Sequence, residues 1–256
     1  MSHPVAVVTG ASRGIGRQFC VDLASAGYDV VCAARSSAAS PGALPGTIDD
    51  TARAVEARGR RALPVTLDVR DEDAIEALAR RIESELGRCD VLVNNAAVAP
   101  PGPALDAATK RWRLAVDVNL NGPFYLVYHL RRLLEAAEGG GRVVNISSGA
   151  AETPGFGRVS YTTTKRGLEA MTQALAHDLR GKVAVNCIQL DLAVWTEGFD
   201  ATLPDSFDTS GFEDPVIMSD ALLYILKHDL EFTGRVLKTT EMRAQGAIRP
   251  VTSISR

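Results

Sequence analysis

The sequence predicts an α/β fold, a doubly wound parallel sheet of about seven strands with helices on both faces, and three observations lead to it. Short apolar runs alternate with helical periodicity along nearly all of the 256 residues. The runs are continuous rather than alternating, as expected of strands covered on both faces. A glycine-rich turn, Thr9-Gly-Ala-Ser-Arg-Gly-Ile-Gly16, joins the first run to the first helix. No repeat or linker divides the chain, so residues 1–256 are expected to form one domain.

In chain order the strand candidates are Val5–Val8, Val30–Ala34, Val65–Leu67, Val91–Val93, Val143–Ile146, Val183–Ile188 and Arg235–Leu237. The helix after the first strand carries Phe19, Cys20, Leu23 and Ala24 on its apolar face. The clearest helical pattern spans residues 71–86, where Ile75, Leu78, Ala79, Ile82 and Leu86 form one stripe and charges fill the other side. Asp71 and Glu72 lie near its start, where carboxylates suit the helix dipole. Three segments break the rhythm. Ser36–Thr47 is rich in Ser, Ala, Pro and Gly; Gly139–Gly141 reads as a helix-to-strand turn; Leu192–Pro215 holds Trp195, three Phe and two Pro. Ligands of open α/β sheets bind beyond the carboxyl ends of the strands, which makes the first and third segments candidate binding loops.

An apolar content of 46% excludes intrinsic disorder. The formal charge is −3 and no long block of one sign appears, so neither nucleic acid nor an anionic membrane is expected as a primary partner. No run approaches the roughly 18 apolar residues of a membrane span, and Met1–Thr9 lacks a basic start followed by a long apolar segment. Cys20, Cys32, Cys89 and Cys187 are widely spaced inside apolar or helical patterns, which suits a reducing compartment. A soluble, cytoplasmic protein is the expectation. The four histidines show no metal-ligand spacing and no metal site is expected.

Glycine serves three ends in the Thr9–Gly16 turn: a tight bend, close approach of backbone to a pyrophosphate, and close packing of helix on strand. The helix N-terminus then offers free N–H groups and the positive end of its dipole to the phosphates. An NAD site of this kind needs a carboxylate about 20 residues on, at the end of the second strand. This chain has Ala34 and Arg35 there. A guanidinium in that place, with Arg13 as a second cation in the turn, favours NADP(H) over NAD(H); the other reading of Arg35 is a solvated surface residue.

Tyr161-Thr-Thr-Thr-Lys165 sets a phenol and an ammonium at i and i+4 on one helix face. A cation beside a phenol favours its ionised form, which suits general acid–base work near neutral pH. Ser148 follows the strand Val143–Ile146, where active-site groups of such folds collect, and its hydroxyl can hold a carbonyl oxygen beside the phenol. Ser147 is the alternative, because strand side chains alternate in direction.

Together with the glycine turn, these residues closely resemble the classical short-chain dehydrogenase/reductase family over residues 4–240. Asn94-Asn-Ala-Ala97 is similar to the family's N-N-A-G segment, Asp68-Val69 to its adenine-contacting pair, and the thirteen residues from Ser148 to Tyr161 match the family spacing. The resemblance implies a Rossmann fold with Tyr161 as acid/base and Ser148 orienting substrate. It implies that Lys165 binds the nicotinamide ribose and tunes Tyr161, while Asn119 holds a helix kink and a relay water. Gly10, Ser12, Arg13, Gly14, Ile15, Gly16, Arg35, Asp68, Val69, Asn95 and Ala96, with Tyr161 and Lys165, are the implied cofactor ligands.

The chain also departs from that pattern. Leu190-Asp191 stands where the family has Pro-Gly, and the following Thr196 comes one residue late. Asp191 reads equally as a substrate contact or as a cap of the next helix. Ala97 replaces a glycine, Glu241-Met-Arg-Ala replaces a glycine pair, and Ser36–Thr47 resembles an extended loop of hydroxysteroid-dehydrogenase-like members, either a lid or a mobile segment. The resemblance implies an NADP(H)-dependent enzyme interconverting a carbonyl and a secondary alcohol. The loop 192–215, rich in Leu, Val, Phe and Trp, points to a largely apolar small-molecule substrate. A non-catalytic dinucleotide sensor of the same fold is the alternative. Family members assemble as homodimers or homotetramers through helices that here span about residues 104–137 and 160–180.

Overall fold

The apolar runs become the seven strands of one parallel sheet in a computed structural model, which describes residues 3–250 apart from 101, 104, 107, 154 and 202–207. The strands are β1 (Val5–Thr9), β2 (Asp29–Ala34), β3 (Ala62–Thr66), β4 (Val91–Asn94), β5 (Gly141–Ser148), β6 (Val183–Leu190) and β7 (Val236–Lys238). Their order is β3-β2-β1-β4-β5-β6-β7, so the winding reverses between β1 and β4 and opens a crevice at that point. Two helical layers cover the sheet. In β1, Ala6 and Val8 enter a core with Phe19 and Leu23 of α1 (Gly14–Ser25) and Ile217 and Leu222 of α8 (Val216–Leu226). Val5 and Val7 face the opposite core, with Ile75 and Ile82 of α3 (Glu72–Leu86) and Leu126 and Leu130 of α5 (Gly122–Glu135). Successive side chains of a strand point to opposite faces, and burial on both is why the runs are continuous.

The clearest predicted helix forms as read: the Asp71 carboxylate accepts the Ala74 N–H at 3.0 Å, and Gly87, at φ +71°, ends α3. β3 begins three residues before the predicted Val65, because it is an edge strand and tolerates Pro64 there. The helix expected over 104–137 is broken in two. α4 (Thr109–Val116) and α5 flank a π-helical turn, Asp117–Asn121; positions 104 and 107 lie outside the described residues. α2 (Ile48–Glu56) starts from Thr47, whose hydroxyl accepts the Asp50 N–H at 3.1 Å while the Asp50 carboxylate accepts the Thr47 N–H at 3.0 Å. Among the described residues the remaining α-helices are α6 (Val159–Asp178), α7 (Glu197–Asp200) and α9 (Thr239–Ala244). All four cysteines are buried and unpaired. Among the described residues no helix is long and apolar enough to cross a membrane.

Candidate active site

The crevice at the β1/β4 reversal is a cavity of about 390 Å³. The first-turn N–H groups of α1 have no side-chain cap, and Gly14, Ile15 and Gly16 line the cavity. Gly10 and Gly14 sit at φ +67° and +53°, conformations open to glycine. A Cβ on Gly16 would lie 2.2 Å from the Gly10 carbonyl oxygen and 2.6 Å from Asn95 Nδ2. The turn is also stapled to the end of β4. The Thr9 hydroxyl accepts the N–H groups of Asn95 and Ala96, each at 3.1 Å, and Asn95 Nδ2 donates to the Thr9 carbonyl at 2.9 Å. A cradle of bare backbone at an uncapped helix N-terminus fits a pyrophosphate, so the residues present fit a dinucleotide.

Gly10, Ser12, Arg13, Gly14, Ile15, Gly16, Arg35, Asp68, Val69, Asn95 and Ala96 all line this cavity. Arg13 differs from expectation. Its guanidinium does not stand free for a phosphate but donates to the carbonyls of Leu44, Pro45 and Gly46 and to the Ser36 hydroxyl. Arg35 is exposed and makes no hydrogen bond among the described residues. Asp68 pairs with Arg70 at 2.6 Å, which holds its carboxyl below the usual range.

Of the predicted catalytic residues, Tyr161 and Lys165 stand on α6, Ser148 ends β5 and Asn119 lies in the π-helical turn, and none of the four is among the residues lining the cavity. Lys165 is buried and its Nζ donates to the Ile146 carbonyl at 2.7 Å. The same Nζ lies 5.6 Å from the centroid of the Tyr161 ring. Asn119, buried in the π-helical turn, accepts the Val98 N–H at 2.8 Å and donates to the Val98 carbonyl at 2.8 Å and to Thr164 Oγ1 at 3.0 Å. Asn119 therefore ties the turn to both the β4 loop and the helix that carries Tyr161 and Lys165. Thr164 is a residue that motif reading missed; its signal is a hydroxyl on the buried face between the phenol and the ammonium.

The two serines separate cleanly. Ser147 is buried and donates to Glu169 Oε1 at 2.7 Å, and Gln189 Nε2 donates to the same oxygen at 2.8 Å. Ser148 is half-buried and its hydroxyl accepts the Ala150 N–H at 3.3 Å. Only Ser148 has a hydroxyl outside the buried network.

Asp191 turns away from the cavity. It caps α9 rather than the next helix, accepting from the Thr239 hydroxyl at 2.6 Å, the Thr240 N–H at 2.9 Å and the Thr240 hydroxyl. Partial burial pushes the carboxyl up, and the bonds from Thr239 and Thr240 outweigh it, leaving it below the ordinary carboxylate range. A depressed pKa stabilises the fold above the unfolded-state value, and that contribution is lost as pH falls through the folded value. Asp191→Ala is expected to cost about 1–2 kcal/mol, the scale of a lost helix cap, read by urea denaturation at neutral pH. An unchanged midpoint would show that the cap contributes nothing.

The late Thr196 still reaches the cavity, 3.2 Å from where a Cβ on Gly14 would stand, and its hydroxyl accepts the Phe199 N–H at 3.1 Å. The segment in place of the glycine pair has a structural use. Met242 is buried, and Arg243 grips the buried Glu213 through both terminal guanidinium nitrogens, anchoring the end of loop 192–215. Positions 202–207 of that loop lie outside the described residues.

Residues 4–201 match the family described as short chain dehydrogenase. Hydroxysteroid dehydrogenase-like protein 2 from Xenopus laevis is 31% identical over 94% of this chain, and that from Danio rerio 34% identical over 89%. The chain spans 58% and 55% of the length of those two relatives. A solved structure provisionally assigned as a short-chain alcohol dehydrogenase from Sinorhizobium meliloti is 28% identical, with a TM-score of 0.79 over 93% of this chain and 95% of that one. A short chain dehydrogenase from Mycobacterium thermoresistibile, 24% identical, shares the fold with a TM-score of 0.86 over 96% of this chain and 88% of its own. With its parallel sheet, glycine cradle and Tyr161–Lys165 pair, the chain belongs to the short-chain dehydrogenase family of NAD(P)-binding oxidoreductases.

Proposed function

We propose that the protein is an NADP(H)-dependent oxidoreductase that interconverts a carbonyl and a secondary alcohol on a largely apolar small molecule. The observation that carries this reading is the placement of Lys165 beside Tyr161, its Nζ fixed to the Ile146 carbonyl at the end of the strand that carries Ser148. In the reducing direction the Tyr161 hydroxyl gives its proton to the carbonyl oxygen, and in the oxidising direction it takes the proton back. The Ser148 hydroxyl holds that oxygen beside the phenol. Lys165 keeps a positive charge near the ring, and Asn119, through Thr164, positions α6 against the β4 loop. When bound, the nicotinamide supplies or accepts the hydride.

Preference for NADP(H) rests on Arg35 at the end of β2, where no carboxylate stands to accept from ribose hydroxyls. An apolar substrate is supported by loop 192–215, where Phe199 and Phe212 stack at 5.4 Å, and by the name borne by the hydroxysteroid dehydrogenase-like relatives. Assembly as a homodimer or homotetramer is supported by exposed aromatic rings on α5, Phe124 and Tyr128. Four buried free cysteines suit a cytoplasmic setting. The altered Leu190-Asp191 segment does not favour the sensor alternative, since Asp191 serves there as a helix cap and is not among the residues lining the cavity.

Titration with NADPH and NADH, followed by the emission of the reduced nicotinamide, tests the cofactor assignment. NADPH is expected to bind about tenfold tighter or more, and Arg35→Ala to remove most of that ratio while sparing NADH. Binding of neither cofactor would overturn the reading.

A further inference from the structure

We infer that Arg13 is the latch of a strap, residues 36–47, that closes the adenosine end of the cavity, and that it sets cofactor affinity by holding the strap rather than by touching a phosphate. This rests on the dinucleotide reading of the cavity. Arg13 stands at the N-cap of α1 and reaches across to the strap: Nε donates to the Pro45 carbonyl at 2.8 Å. Its Nη2 donates to the carbonyls of Leu44 at 2.9 Å and Gly46 at 3.2 Å and to the Ser36 hydroxyl at 3.2 Å. Three successive carbonyls thus wrap one guanidinium, a geometry that suits its planar fork.

Independent packing evidence places the strap directly on the phosphate turn. A Cβ on Gly46, which sits at φ +94°, would lie 2.6 Å from the Ser12 carbonyl oxygen. A Cβ on Gly42 would lie 2.6 Å from the Ser36 hydroxyl and 3.3 Å from the Arg13 guanidinium. At Gly46, therefore, no side chain fits between the strap and the backbone of the phosphate turn. The strap's base has ties of its own besides Arg13: the Ile48 N–H donates to the Ser36 carbonyl at 3.0 Å, and the Thr51 hydroxyl donates to the Ala11 carbonyl at 2.8 Å. What Arg13 adds is a tie from Ser36 to Leu44–Gly46, joining the two arms of the strap to the phosphate turn, and Leu44 lines the cavity beside Arg35 and Ser36. A Ser, Pro and Gly strap has little apolar burial of its own, so the latch decides its order.

Two readouts test this. All four native cysteines are buried, so a nitroxide on Ala43→Cys, at an exposed position, reports strap motion in the cofactor-free protein. With Arg13 present the spectrum is expected to be immobilised, and Arg13→Lys, which keeps the charge but loses the fork, is expected to turn it mobile. A spectrum that is mobile with Arg13, or unchanged by Arg13→Lys, would overturn the latch, and this result does not depend on cofactor binding. In titrations, Arg13→Lys and Arg13→Ala are both expected to weaken NADPH and NADH by a similar factor, about tenfold, leaving their ratio intact. Loss confined to NADPH, or full affinity in Arg13→Lys, would make Arg13 a phosphate ligand or a plain charge. Failure of the unsubstituted protein to bind either dinucleotide would overturn both the cofactor reading and the strap's role in affinity, with the nitroxide still reporting whether the latch exists.

Discussion

Tyr161→Phe is expected to lower turnover by about 10²–10⁴-fold, the range a positioned general acid–base supplies, while NADPH affinity stays within about twofold of the starting value. The selectivity follows from the surroundings of the ring. Tyr161 is half-buried and its hydroxyl makes no hydrogen bond among the described residues, so phenylalanine leaves no buried partner unsatisfied. Lys165 keeps its own bond to the Ile146 carbonyl and therefore its place. Stability in urea should be unchanged, and the defect should appear in kcat rather than in folding. Near-normal turnover would remove Tyr161 from the chemistry.

Gly16→Ala should have the opposite signature, with binding lost before chemistry is reached. The added methyl would stand 2.2 Å from the Gly10 carbonyl oxygen, a backbone atom fixed by the turn, and 2.6 Å from Asn95 Nδ2, which staples β4 to that turn. Neither neighbour can give way without opening the cradle. Overpacking of this kind costs about 1–3 kcal/mol of stability. Distortion of the N–H array should weaken dinucleotide binding by about a hundredfold or more. Gly87→Ala is the control: a methyl there meets nothing within 4 Å, so the change strains the αL cap of α3 but should leave binding alone. Calorimetric titration with NADPH distinguishes the two variants, and equal affinities would contradict the cradle.

Local patterns made most of the sheet and the cradle legible. Continuous Val and Ala runs encode strands buried on two faces, and the Thr9–Gly16 spacing encodes a turn whose constraints lie within a few residues. The Tyr161–Lys165 pair is legible for the same reason, one turn of one helix. What escaped were partners distant in sequence. Asp191 finds Thr239 at a separation of 48 residues, so its choice between substrate and cap depended on the seating of β7 and α9. Arg13 meets Leu44 at a separation of 31 residues, and nothing near Arg13 announces that three carbonyls await its guanidinium. Glu169 was invisible as well, since its links to Ser147 and Gln189 exist only once β5 and β6 lie side by side. The helix kink at Asn119 was implied by the resemblance alone, and the bonds that hold Asn119 in its π-helical turn come from Val98 and Thr164 on other elements.

The most direct test of the proposed chemistry is single-turnover oxidation of protein-bound NADPH, deuterated at nicotinamide C4, by a panel of apolar ketones. The expected result is loss of the bound emission with at least one ketone, deuterium on the new carbinol carbon, and a Tyr161→Phe rate lower by orders of magnitude. NADPH that binds tightly yet is oxidised by no member of the panel would contradict an oxidoreductase and leave a dinucleotide-binding sensor in its place.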